Sequence, residues 1–268
     1  MNSLKTTLAI ATLSLAASAV TSVNAAQVGP LETVTTFNKY RGAGITITPA
    51  GRMIVSMHPL DAPKTRVVEI MANGAQQPFP TVDWADGPEL GKVGLAAVIG
   101  VHSDSKGVVW ILDMGSEKVA PKLIAWDSVA NTLVNTIELN KAVLANSFLQ
   151  DFVIDERNDK IYIADMSFGN FMGATKPAFI VVDLKTGEST RVLEGNAKLM
   201  PEDRDIVIEA SPVASKSAEG ETTNLRFGLN PITIDDKNEW VYFGAFTGTS
   251  VYRIPAKRSL IARIQMLK

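Results

Sequence analysis

A β-hairpin pattern recurs along this chain, and that repetition limits its fold more than any single motif does. Gly44–Ser56 reads GITITPAGRMIVS, Val98–Asp113 reads VIGVHSDSKGVVWILD, Asp151–Asp165 reads DFVIDERNDKIYIAD and Pro231–Ala245 reads PITIDDKNEWVYFGA. Each joins two runs rich in Val, Ile and aromatic residues through a polar turn, as a hairpin does. Anchored on Ile47, Val101, Ile154 and Ile234, the copies lie 54, 53 and 80 residues apart. The last spacing is one repeat plus an insert of about 27 residues relative to the earlier period. The insert is Asn196–Asn224, polar and carrying Pro201, Pro212 and the run SKSAEGETTN; it reads as a long surface loop. A second hairpin is interleaved: Pro121–Leu139 (PKLIAWDSVANTLVNTIEL) and Pro177–Gly195 (PAFIVVDLKTGESTRVLEG), with Asp127 and Asp183 each six residues after the proline. Two hairpins per repeat give four strands, and a series of such units is a β-propeller. No segment holds a 3.6-residue apolar period, which argues against a helical domain.

The first hairpin has four copies but the second only two, with Thr249–Pro255 (TSVYRIP) starting a third. Ala256–Lys268 resembles neither; it carries Lys257, Arg258, Arg263 and Lys268 and no acid. The expected organisation is therefore a partial propeller of about four blades over residues 26–255, then a basic non-repeat tail over 256–268. The chain would stop within its fourth blade, as if truncated or as if its reading frame were lost near Lys257; a complete four-bladed ring is the alternative. Leu31–Asn38 (LETVTTFN) reads as a ring-closing strand. An unclosed ring exposes strand edges, so self-association through them is expected.

Residues 1–25 read as a secretory signal peptide: Lys5 near the start, an uncharged Thr6–Val23 rich in Leu and Ala, and the small-residue pattern Val23-Asn24-Ala25. Thr12, Ser14 and Ser18 interrupt the apolar part and make it a poor membrane span. The expectation is a secreted or periplasmic protein with no membrane association after signal removal. Cys is 0, so disulfides and thiolate metal centres are excluded and the core alone must stabilise the fold. A net charge of -2 gives no electrostatic case for nucleic acid. The expected partner is a small-molecule ligand.

Several stretches together resemble the yellow/major royal jelly protein family in its bacterial, dopachrome-tautomerase-related branch. They are Val109–Gly115 (VWILDMG), Pro121–Asp127 (PKLIAWD), Ser147–Asp155 (SFLQDFVID) with Ile161–Asp165 (IYIAD), Ala178–Asp183 (AFIVVD), Gly228–Pro255, and Pro78–Trp84 (PFPTVDW). The resemblance runs over about residues 30–255, in order and spacing. It implies an all-β, six-bladed type of propeller that is incomplete here. It also implies binding, or isomerisation, of a small aromatic metabolite. Gluconolactonase-type propellers, which are metal-dependent lactonases, are the alternative, and a non-catalytic secreted binding protein is a third class.

In a propeller the first strand of each blade lines the central channel, and the repeat register puts Asp151 and Asn230 at its entrance. The matching positions in the earlier blades are Ala43–Gly44 and Ala97–Val98, all apolar. Asp and Asn oxygens suit a hard divalent ion such as Ca²⁺; Ca²⁺ or another divalent ion would be the cofactor under the lactonase reading alone, and otherwise no cofactor or metal is expected. The same two residues also cap strand ends readily. His102 and His58 are possible general bases, although neither has a partner legible in the sequence. His102 and Asp151 are the catalytic candidates for a tautomerase. Asp165, Phe168 and Phe246, with Asn230, are the ligand-binding candidates; Phe168, Phe171 and Phe246 follow second strands beside glycines. Asp113 and Asp165 end matching strands and read first as residues bonding the adjacent turn. Trp110, Tyr162 and Tyr242 recur at one position and read as blade packing.

Overall fold

The computed structural model of the chain describes residues 29, 31–87, 93–168 and 175–256. The expected signal peptide (1–25), Phe171 and the basic tail beyond Ala256 lie outside them. From Thr35 onward the described residues belong to one compact unit, and every repeat lies in it.

The repeats fold into four antiparallel sheets. The first blade is β1 (Gly42–Ile47), β2 (Met53–Met57), β3 (Val67–Ile70) and β4 (Gln76–Pro78), and the second is β5 (Val98–Ser103), β6 (Val108–Asp113), β7 (Lys122–Asp127) and β8 (Thr132–Glu138). The third is β9 (Leu149–Asp155), β10 (Lys160–Asp165), β11 (Ala178–Asp183) and β12 (Ser189–Val192). Within each, strands pair in chain order. The insert carries two small ribbons, β13 (Val207–Ile208) with β14 (Ser211–Pro212) and β15 (Ala214–Lys216) with β16 (Thr222–Asn224). It is thus more ordered than a plain loop. The fourth blade is β17 (Leu229–Ile234), β18 (Trp240–Ala245) and β19 (Tyr252–Pro255), three strands among the described residues. The first strands pack side by side, β1 on β5, β5 on β9 and β9 on β17, so the blades fan around a common axis. This is a propeller of about four blades. Helix is limited among the described residues to α1 (Val82–Ala85) and one 3-10 turn.

The middle sheets are buried on both faces, which explains why VVWILD, KLIAWD and AFIVVD read as continuous apolar runs and not as alternating ones. Alternate residues of a strand point to opposite neighbours. Val101, Val109 and Ile111 meet Ile54, Val67 and Phe79 of the first blade. Trp110, Leu112 and Leu123 meet Phe152, Ile161 and Ile180 of the third. Val153, Tyr162 and Phe179 meet Val241 and Phe243 of the fourth. Each such side chain contributes about 1.5–3 kcal/mol on burial, so the stability lies between blades as much as within them.

Two expectations need correction. Leu31–Asn38 forms no strand. Its Thr35 and Thr36 instead meet blade one through side chains and turns: Thr35 Oγ1 donates to Gly74 O, and Gln76 Nε2 donates to Thr35 Oγ1 and Thr36 O. Phe37 packs with Tyr40 on Val55 and Val68. Thr35, Thr36 and Phe37 are thus spent on bonding and covering blade one and do not extend an edge. The register of the second blade also differs from the one read in the sequence. Ile45, Val101, Phe152 and Ile232 hold the same pairing position, so Val101 matches Ile45 and not Ile47.

Candidate active site

All four first strands carry a β-bulge at one level. The shifts fall between Gly42 and Ile45, Val98 and Val101, and Leu229 and Ile232; in β9, Leu149 and Asp151 pair with consecutive residues and leave Gln150 extra. A bulge interrupts the ladder and re-aims side chains, and it tolerates Pro231, which has no N–H to donate. The bulged positions are therefore Ala43–Gly44, Ile99–Gly100, Gln150–Asp151 and Asn230–Pro231. Ile99–Gly100 replaces the Ala97–Val98 expected for the second blade; two of four blades still present a polar side chain here.

These residues line a cavity of about 150 Å³, walled by Gly44, Ile99, His102, Gln150, Asp151 and Asn230 among others. Gly44 is required by the close approach of β5. A Cβ there would lie 2.2 Å from Ile99 O, and Ser56 bridges the same contact by accepting from Gly44 N at 2.8 Å and donating to Ile99 O at 2.6 Å. A larger hollow of about 670 Å³ lies at the rim, between β8 and the turn joining β11 to β12, but it is an open surface of exposed side chains of both charges.

The sequence nominated His102 and Asp151 separately, and the fold brings them together. His102 Nε2 lies 2.8 Å from Asp151 Oδ1, with both side chains about a third exposed, at 37% and 36%. The same Oδ1 accepts from Phe152 N at 2.9 Å. The imidazole stands edge-on to the Phe152 ring, 4.8 Å between centroids at 85°. Asn230 is also in the wall and donates to Met166 Sδ at 3.7 Å. Beside Met166 runs an aromatic series: Phe148 to Phe168 at 4.1 Å, Phe168 to Phe227 at 6.0 Å, and Phe227 to Phe246 at 5.9 Å. Phe246 is 49% exposed. Phe148 and Phe227 were not among the sequence candidates; each immediately precedes a first strand or its leading Gly, the one signal that was available.

Asp165 is placed elsewhere, in the blade interior at 0% exposure. Its Oδ1 accepts from Phe148 N at 2.8 Å and Ser167 N at 3.0 Å, and its Oδ2 from Ser147 Oγ at 2.5 Å and Arg191 Nη1 at 2.5 Å. Asp113 repeats the arrangement one blade earlier, accepting from Ala97 N, Gly115 N, Ala96 N and Lys122 Nζ. With every lone pair directed at protein donors, Asp165 has no free oxygen for a ligand. His58 lies apart from the channel wall. Its Nδ1 accepts from Leu60 N at 3.3 Å, and burial, with Arg41 adding to it, holds its pKa below the ordinary value.

Residues 96–260, more than half of the chain, match the family model for major royal jelly protein. The chain belongs to the major royal jelly protein family. The match covers blades two to four of this royal-jelly-family propeller, and so includes His102, Asp151 and Asn230. No curated protein sequence matches it. Solved structures that resemble it include the extracellular domain of a hybrid two-component system from B. thetaiotaomicron, at TM-score 0.46 and 13% identity over 81% of this chain and 20% of that one. The Dos1 propeller gives 0.44 and 9% over 81% and 45%. A candidate gluconolactonase gives 0.42 and 12% over 82% and 76%. The chain thus spans less than half the length of the first two.

Proposed function

We propose that this is an exported propeller that binds a small aromatic metabolite at the channel mouth and isomerises it by proton transfer, as a dopachrome-type tautomerase would. The observation that carries this reading is the His102–Asp151 hydrogen bond, 2.8 Å long, in the cavity where the four first strands converge. A tautomerase takes a proton from a carbon beside an electron-withdrawing group and returns it elsewhere on the conjugated system. That needs one base, held in place, able to receive the proton and release it. The phenylalanine series from Phe148 to Phe246 offers faces for a ring. Among the described residues Asp151 Oδ2 makes no hydrogen bond, so a hydroxyl, ammonium or ring N–H donor on the substrate has an acceptor to meet.

The lactonase alternative would place a divalent ion on Asp151 and Asn230, with metal-activated water as nucleophile. The donor set suits it less well. Asp151 Oδ1 is engaged by His102 and Phe152 N, and no three His, Asp or Glu side chains cluster for a metal among the described residues.

The test is to follow dopachrome absorbance with the chain from Ala26 onward, with and without a chelator. The expected result is loss of absorbance that the chelator leaves unchanged, reduced about 10²-fold or more in His102→Ala, the scale of general acid–base catalysis, with ring binding retained. Chelator-sensitive hydrolysis of a lactone would overturn the proposal in favour of the metal reading. Amine binding in calorimetry without turnover would reduce the protein to a binding module.

A further inference from the structure

We infer that His102 presents Nδ1 to the channel occupant and that Asp151 is its positioning residue; this rests on the proposed role of the pair and fixes which atom performs it. An ionised carboxylate only accepts hydrogen bonds. The proton between Asp151 Oδ1 and His102 Nε2 therefore belongs to the imidazole, and the neutral ring is the Nε2–H tautomer. The other nitrogen, Nδ1, then carries the lone pair, and among the described residues it makes no hydrogen bond. A nitrogen with its lone pair free in a partly open cavity is the base; the nitrogen facing the carboxylate is not.

The surroundings fix this orientation. Asp151 Oδ1 is itself aimed by the N–H of Phe152. Phe152 is fully buried, and its ring, nearly perpendicular to the imidazole, forms the wall against which it stands. Gly100 makes room for that ring: a Cβ at Gly100 would lie 3.0 Å from Phe152 Cδ1. The imidazole is thus held by a hydrogen bond at one end and an aromatic wall along its side. His58 has the opposite arrangement, since a backbone N–H occupies its Nδ1.

Alkylation by bromoacetate reads this directly, because it marks the nitrogen whose lone pair is accessible. An unconstrained histidine reacts mainly at Nε2, the nitrogen away from the side-chain stem. In the native full chain near neutral pH, His102 is expected to yield mainly the Nδ1-carboxymethyl isomer, and His58 none of it. In Asp151→Ala the Nδ1 to Nε2 ratio at His102 should fall about tenfold, the scale of one hydrogen bond to a charged group. The wild-type product needs no variant, so misfolding of Asp151→Ala would not protect the inference. An Nε2 product at His102, or no reaction there while the denatured chain reacts, overturns it. Nδ1 product without dopachrome turnover would remove the proposed function and keep this assignment; turnover with Nε2 product would do the reverse.

Discussion

Two buried carboxylates show how single residues hold the blades. Asp113 and Asp165 each accept from two or more backbone N–H groups, at least one of them at the start of the blade's first strand, and from one cation, Lys122 or Arg191. Removing Asp113 leaves the nearly buried Lys122 ammonium and several N–H groups without partners, whereas Arg191 beside Asp165 keeps Glu194 and two carbonyls. Asp113→Ala should therefore destabilise the fold by about 3–5 kcal/mol, as when one member of a buried ion pair is lost. A urea melt would show it, and an unchanged midpoint would contradict it. The repeat made the structural part of this legible, since matched aspartates at strand ends point to turn bonding. Asp165 as a ligand contact came from its neighbouring phenylalanines in sequence, and burial removed it. The His102–Asp151 pair was legible only in halves. His102 and Asp151 were each nominated, but they are 49 residues apart, and their meeting depends on bulges that no periodicity reveals.

At the level of elements, the hairpins could be read because each strand run is long, apolar and closed by a polar turn. Their boundaries were harder. The second blade was read two residues out of register, because valines at 98, 101, 108 and 109 all suit an anchor and the bulge hides the true pairing. The β10–β11 hairpin offers a pH test. Lys160 and Asp183 are directly paired across it, and the ammonium, with the N–H groups of Lys185 and Thr186, pulls the Asp183 pKa down to about 2 from 3.8. A carboxylate lowered on folding stabilises fully above its unfolded value and loses that contribution as pH falls through its folded one. The melting temperature should thus drop between about pH 4 and pH 2, and less steeply in Lys160→Met, whose hairpin lacks the pair; parallel curves for both proteins would refute this.

Across the whole unit of blades, the two outermost faces stand apart from the three interblade cores. Ile45 occupies the register that Val101, Phe152 and Ile232 fill elsewhere, and Ile47 the one that Ile154 and Ile234 fill, yet each is 59% exposed. On the fourth blade Pro231 and Thr233 are exposed, and Arg253 stacks on Trp240 at 4.1 Å. Strand β19 has no partner on its outer side among the described residues. We expect the chain from Ala26 onward to self-associate with rising concentration in size-exclusion chromatography with light scattering. Ile45→Lys with Ile47→Lys should raise the monomer fraction without lowering the melting temperature, since neither side chain is buried. A concentration-independent monomer would rule this out. The bulges carry a consequence of another kind. Because the extra residue in each first strand lies outside the ladder, its identity is uncoupled from the hydrogen bonds that hold the blade. Alanine, isoleucine, glutamine and asparagine occupy that one position in the four blades with the same pairing on either side. Evolution can therefore re-equip this channel one blade at a time, changing its chemistry while the frame stays as it is.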